Sequence, residues 1–231
     1  MFAIGHFALG YLIGRGSAKF AQVKVNLPLL LLASVLPDID LLLRFLMHRG
    51  PTHSLITLTV LMIPFFAVYR KQAIPYFAAL LSHVLIGDFF AGGNELFWPL
   101  SQGWFGALNL EVHSLPNVLL ELGLFLLTVP IMFKLGDLKS LLKPHNRNWA
   151  LIIPFGAVLG PLLSAGRGQE YALPILLVVP SLFYIGLFAY SIFIEFRAGH
   201  NQNKESLDSP ISSSTLTNSQ LFKPKRIQIE N

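Results

Sequence analysis

Seven histidine and aspartate side chains fall within the first 88 residues of a chain otherwise built for an apolar medium. They are His6, then Asp38 and Asp40 in Leu36-Pro37-Asp38-Ile39-Asp40, His48 and His53 in His48-Arg49-Gly50-Pro51-Thr52-His53-Ser54, and His83 and Asp88 in Ser82-His83-Val84-Leu85-Ile86-Gly87-Asp88. Neutral imidazoles with carboxylates are the donor set that holds zinc, manganese or ferrous ions in hydrolytic sites, where the ion lowers the pKa of a bound water. The chain has no cysteine, so disulfide scaffolds, thiol nucleophiles, thiolate zinc sites and iron–sulfur clusters are all excluded. Each residue also has a plain structural reading. A single buried His is usually just hydrogen-bonded, an isolated intramembrane Asp can relay protons, and Arg49 can either pair with Asp38 or Asp40 or meet an anionic group of a substrate.

The spacings bear on which residues can act together. Asp38 and Asp40 would point about 200° apart on a continuous helix, but Pro37 disfavours a regular helix through them. An irregular turn lets both face one metal, or lets one orient a histidine from behind. His48 and His53 bracket Gly50-Pro51, which fits a loop entering a helix, with Thr52 as a candidate cap. His83 and Asp88 are five apart, about 140° around an ideal helix, and Gly87 offers the bend that would bring them together.

The elements that carry these residues read as membrane helices. Of 231 residues 53% are hydrophobic and only 13% charged, against about a quarter charged in soluble domains, which rules out a soluble cytosolic protein. Apolar segments near 27 to 46, 53 to 69, 73 to 90, 115 to 133, 149 to 165 and 172 to 196 predict six transmembrane helices. Met1 to Gly14 adds a short or partly inserted N-terminal helix that does not resemble a cleaved signal peptide. The expected fold class is therefore an all-α polytopic membrane protein. Its membrane-embedded part covers residues 1 to 198, and a disordered Ser/Thr-rich and basic tail covers 199 to 231. The +5 formal charge is the loop bias of a membrane protein rather than a sign of nucleic-acid binding.

Lysine and arginine counts set the orientation. Arg15, Lys19 and Lys24, then Arg70 and Lys71, then Lys134, Lys139, Lys143 and Arg147, and finally Arg197 with the tail define the cytoplasmic side. Arg44 and Arg49, Glu95 and Glu111, and Arg167 with Glu170 fall on the outer side. This topology delivers the polar residues of four segments to one outer layer. An intramembrane Asp costs about 2.5 to 3.5 kcal/mol at a helix centre, so seven such residues in one layer call for a shared task.

The succession of His6, Leu36-Pro37-Asp38-Ile39-Asp40, His48-Arg49-Gly50-Pro51-Thr52-His53-Ser54, His83 to Asp88 and Phe97-Trp98-Pro99-Leu100 resembles the YdjM-like membrane-bound metal-dependent hydrolases of bacteria and archaea. The resemblance spans residues 1 to 105, and the His-Arg-Gly-Pro-Thr-His-Ser run is its most specific part. It implies His6, one or both of Asp38 and Asp40, His53, His83 and Asp88 as ligands of one to three divalent ions, zinc first, with manganese or iron as alternatives. His48 then serves proton transfer and Arg49 anion stabilisation. The order of the ligands is also similar to that of zinc-dependent phospholipase C and related nucleases, which points to phosphoester cleavage. One departure stands out: Asp88 follows His83 by five residues, where family members commonly place four. Glu121, Glu111, Glu95 and His113 are candidates for a further ligand, Glu121 first because it lies in an apolar run.

The expected function is hydrolysis of an ester or phosphoester bond in a lipid or lipid-linked substrate at the cell membrane. Membrane lipids are the expected partners. A proton- or cation-coupled transporter is the alternative, but such a pathway needs polar residues through the membrane depth, and the last two apolar segments offer almost none. The aromatic connection 91 to 114 reads as an interfacial belt or as a lid over the site.

Overall fold

The computed structural model describes residues 1–42, 45–108, 110–163 and 173–208. Among them the chain is all-helical, with only an isolated antiparallel bridge between Asn94 and Phe105 outside the helices and turns. Arg44, the connection 164–172 with Arg167 and Glu170, and the tail beyond Asp208 lie outside the described residues.

Helix α1 (Ala3–Ala21) is neither short nor peripheral: it runs through the middle of the bundle, packed against α4 (Ile74–Ser82), α2 (Leu27–Val35) and α5 (Leu115–Lys134). Small residues permit this. A Cβ on Gly10 would stand within 3 Å of the Ser34 side chain, so α1 and α2 meet almost backbone to backbone. Phe7 and Tyr11 of α1 are fully buried, Phe7 against Tyr184 and Phe188 of α8 (Ile175–Asp208). The start of α1 is capped from across the bundle. The Glu121 carboxylate of α5 accepts from Phe2 N at 2.8 Å and Gly5 N at 3.1 Å, and Asn117 Nδ2 donates to it at 2.9 Å.

Asn26 caps α2 by accepting from Leu29 N, with Pro28 in the first turn, and Pro37 ends the α-helix so that the chain continues as a 3-10 turn over Leu36–Leu42. Ser54, rather than Thr52, caps α3 (Leu55–Tyr69), accepting from Ile56 N and Thr57 N. Arg70 then takes φ 50°, ψ −129°, which breaks the helix, and α4 follows after a 3-10 turn. The chain reverses there: Phe66 and Phe77 rings lie 5.5 Å apart, and His53 and His83, at the far ends of the two arms, touch. A straight helix would separate that last pair by about 45 Å. The α4 helix runs into a π-helical turn over His83–Asp88.

Three runs are long and apolar enough to cross a membrane, Leu55–Asp88, Leu115–Lys134 and Ile175–Asn201, fewer than the six expected. The first is the hairpin of α3 and α4. The segment at 27 to 46 yields only nine α-helical residues before Pro37, and that at 149 to 165 only the twelve of α7 (Ile152–Leu163). Leu30, Leu31 and Val35 face protein rather than lipid, so apolar composition there reports a core. Between α5 and α7 lie the short α6 (Asp137–Leu141) and a 3-10 turn at Asn146–Leu151. At the end of the bundle with the basic loops, Asp137 accepts from Arg15 and from Tyr11 Oη. Helix α8 continues past Arg197 to Asp208.

Candidate metal centre

Four donor atoms meet where the 3-10 turn after α2, the entry to α3 and the π turn after α4 converge. His53 Nε2 and His83 Nε2 are 3.2 Å apart. Asp88 Oδ2 lies 3.1 Å from the first and 3.2 Å from the second, and Asp38 Oδ1 lies 3.4 and 3.3 Å from them. Donors around a tetrahedral zinc with 2.0 to 2.1 Å bonds stand about 3.3 Å apart, so these separations fit one divalent ion. Asp88 Oδ2 has no hydrogen-bond partner although it is buried, which is the mark of an oxygen meant for a cation.

The outer nitrogens of both rings fix which atom faces inward. His83 Nδ1 is 2.7 Å from the Ser34 carbonyl, which can only accept, so the ring carries its proton there and turns a lone pair toward the cluster. His53 Nδ1 faces Asp40 Oδ2 at 3.3 Å and Thr52 Oγ1 at 3.0 Å. That is the carboxylate–imidazole arrangement that stands behind metal-binding histidines, here behind a candidate ligand. Asp40 is itself held by Thr52 Oγ1 at 2.7 Å, by Arg49 N at 3.2 Å and by His48 Nδ1 at 3.0 Å. Burial disfavours charge on Asp38 and Asp40, but the imidazoles around them, with Thr52 at Asp40, outweigh it and hold both carboxyls well below the usual range. Burial likewise disfavours charge on His53, and Asp38, Asp40 and Asp88 together raise it well above the usual imidazole value.

Asp40, His48 and His53 also form a second group that could hold an ion. It shares His53, and a neutral imidazole has only one lone-pair nitrogen. With Nε2 given to the four-donor group, Nδ1 carries the proton, and Asp40 acts as its acceptor.

The π turn accounts for the unusual spacing. Its i→i+5 hydrogen bonds stack residues five apart, so His83 and Asp88 reach the same point. The buried ring of His6 is stacked on His83 at 3.6 Å between centroids, its Nε2 is 3.8 Å from Asp88 Oδ1, and its Nδ1 has no partner. It lies beside the four donors rather than among them. A Cβ on Gly87 would reach within 3 Å of the His6 ring, so glycine is what admits this imidazole. Arg49 sits at φ 64°, a conformation unusual for a non-glycine residue and concentrated at functional sites. Its guanidinium meets Asp88 Oδ1 at 3.0 Å and the Ala91 carbonyl at 2.8 Å, and not Asp38 or Asp40. The connection from Ala91 on grips this region from outside: Glu95 N donates to the Arg49 carbonyl, Leu55 N to the Leu96 carbonyl, and Ser54 Oγ to the Trp98 carbonyl.

Among the described residues, Glu95, Glu111, His113 and Glu121 belong to neither group. Glu121 is instead the cap of α1. Two groups that side-chain spacing does not signal complete the site: the Ser34 carbonyl, which orients His83, and the Thr52 hydroxyl, which holds Asp40 instead of capping α3.

A family model, YdjM inner membrane protein, matches residues 1–193, which takes in every residue of this centre. The chain belongs to the YdjM inner membrane protein family. The match to this YdjM-family chain extends well past the motif-bearing residues 1 to 105, through α5 and α7 and most of α8. No curated protein and no solved structure matches it.

Proposed function

We propose that this protein is a membrane-bound metal-dependent hydrolase that cleaves an ester or phosphoester bond of a lipid or lipid-linked substrate. The observation that supports it most is the meeting of four donors from three separate elements, all within 4.8 Å of one another, beside a cavity of about 280 Å³ that Asp38, His48, Arg49 and Asp88 line. Asp38, His53, His83 and Asp88 would hold a divalent ion, and zinc suits two nitrogens and two carboxylate oxygens, with manganese or iron as alternatives. When bound, the ion supplies an activated water and Lewis-acid polarisation of the scissile group. Arg49, partly buried and pinned to Asp88, offers its guanidinium to the developing negative charge. His48 keeps Nδ1 on Asp40 and leaves its other nitrogen to move a proton to the leaving oxygen. The lysine and arginine distribution supports a centre toward the outer face and a cytoplasmic C-terminal tail.

The test is elemental analysis of detergent-purified protein beside His53→Ala and Asp88→Asn, followed by turnover of p-nitrophenyl esters and phosphodiesters with the ion found. Near-stoichiometric metal, lost in both folded variants together with turnover, is the expected result. Absence of metal from the wild type after incubation with zinc, manganese and iron refutes it.

A further inference from the structure

The cavity beside the cluster has two unlike walls. One carries Asp38, His48, Arg49 and Asp88. The other is α7, which contributes Ile153, Gly156, Ala157, Gly160 and Pro161, none with a polar side chain. A sugar or nucleotide seated there would turn hydroxyls toward a wall that cannot answer them, and each unanswered group is costly. A hydrocarbon chain loses nothing on that wall.

The wall is also open. Ile152, Gly156, Gly160 and Leu163 lie on one face of α7, and all are exposed. Among the described residues, a Cβ added at Gly156 meets no atom within 4 Å. Among the described residues, the missing side chain at Gly156 thus leaves a shallow channel on the face of α7 that borders the cavity. The polar end supplies the complementary anchor: Arg49 Nε is buried and lacks a hydrogen-bond partner, and the cationic guanidinium suits an anionic head. At about 280 Å³ the cavity has room for a phosphate-sized head and a few methylenes.

We propose that the channel over Gly156 of α7 holds one hydrocarbon chain of an anionic amphiphile whose head sits at Arg49, and that Gly156 sets which chains are accepted. This rests on the hydrolase reading for its purpose, but it concerns binding and is measured without turnover.

The experiment titrates the metal-loaded protein in detergent with decylphosphonate and with methylphosphonate, neither of which is hydrolysed, for wild type, Gly156→Ala and Gly156→Leu. Affinities are taken on the free ligand concentration measured outside the micelles, so that partition of decylphosphonate enters neither the comparison of ligands nor that of variants. The wild type is expected to bind decylphosphonate at least about tenfold tighter. Gly156→Leu, whose side chain fills the channel, removes that preference while leaving methylphosphonate affinity and metal content unchanged, and Gly156→Ala falls between. Equal affinity for the two ligands in the wild type, a preference that survives Gly156→Leu, or a loss shared equally by both ligands overturns the proposal. Failure of the hydrolase reading looks different: the chain preference and its loss remain, while p-nitrophenyl esters and phosphodiesters are not turned over.

Discussion

Replacing Asp40 by asparagine tests how the centre is held. The Asp40 carboxylate takes Thr52 Oγ1 at 2.7 Å, Arg49 N at 3.2 Å and His48 Nδ1 at 3.0 Å, and faces His53 Nδ1 at 3.3 Å. An amide in its place keeps the size but removes the charge and one acceptor, and it sets an N–H donor against groups that already donate. His53 loses the partner that fixes its proton on Nδ1, though its Nε2 still reaches the cluster. Loss of such an outer carboxylate weakens metal affinity about 10- to 100-fold, or roughly 1.4 to 2.7 kcal/mol. Asp88→Asn removes a donor itself and is expected to cost more, and Thr52→Val, which removes one neutral hydrogen bond, only several-fold. Competition with a chromogenic chelator in detergent measures all three. An Asp40→Asn affinity within twofold of wild type refutes the orienting role, and a loss equal to that of Asp88→Asn makes Asp40 a direct ligand instead.

Deleting Ile86, a partly exposed member of the π turn, should restore α-helical pairing at a spacing of four and retain metal, whereas an alanine inserted after Ile86 should abolish it; elemental analysis reads both. Glu121→Ala strands Phe2 N and Gly5 N and should lower the unfolding temperature by several degrees without loss of metal, with Glu121→Gln milder. Loss of metal at unchanged stability would make Glu121 a ligand after all. Metal affinity should fall as pH is lowered through the raised value of His53, because the ion must displace that proton, and the weakening should therefore begin above the ordinary imidazole range near ~6.5. An affinity independent of pH from 6 to 9 would contradict this.

Much of the centre was legible because residue type carries the signal. Imidazoles and carboxylates in an apolar chain have few innocent explanations, and His53, His83, Asp38 and Asp88 do converge. Their division of labour was not legible. Asp38 and Asp40 lie two apart in a 3-10 turn, about 240° around its axis, so one faces the inner nitrogens of the cluster and the other the back of His53. Sequence showed only that Pro37 spoiled a regular helix. The five-residue step from His83 to Asp88 looked like a defect because an α-helix was the assumed frame, and the π turn removes it. The count of membrane spans failed for a related reason. Hydropathy cannot separate a nine-residue buried helix from a lipid-facing one, nor see that Arg70 folds one long apolar run back on itself.

That fold-back gives the cluster a mechanical meaning. His53 and His83 stand at the open end of a hairpin whose arms belong to α3 and α4, and most of α3 lies uncovered by the rest of the protein. An ion gripping both rings would tie a loop of some 30 residues, and by loop-closure entropy such a tie would be equivalent to roughly 3 to 4 kcal/mol. In a chain without a single cysteine, these two histidines with an ion between them would stand where a disulfide would, as a reversible cross-link open to a chelator.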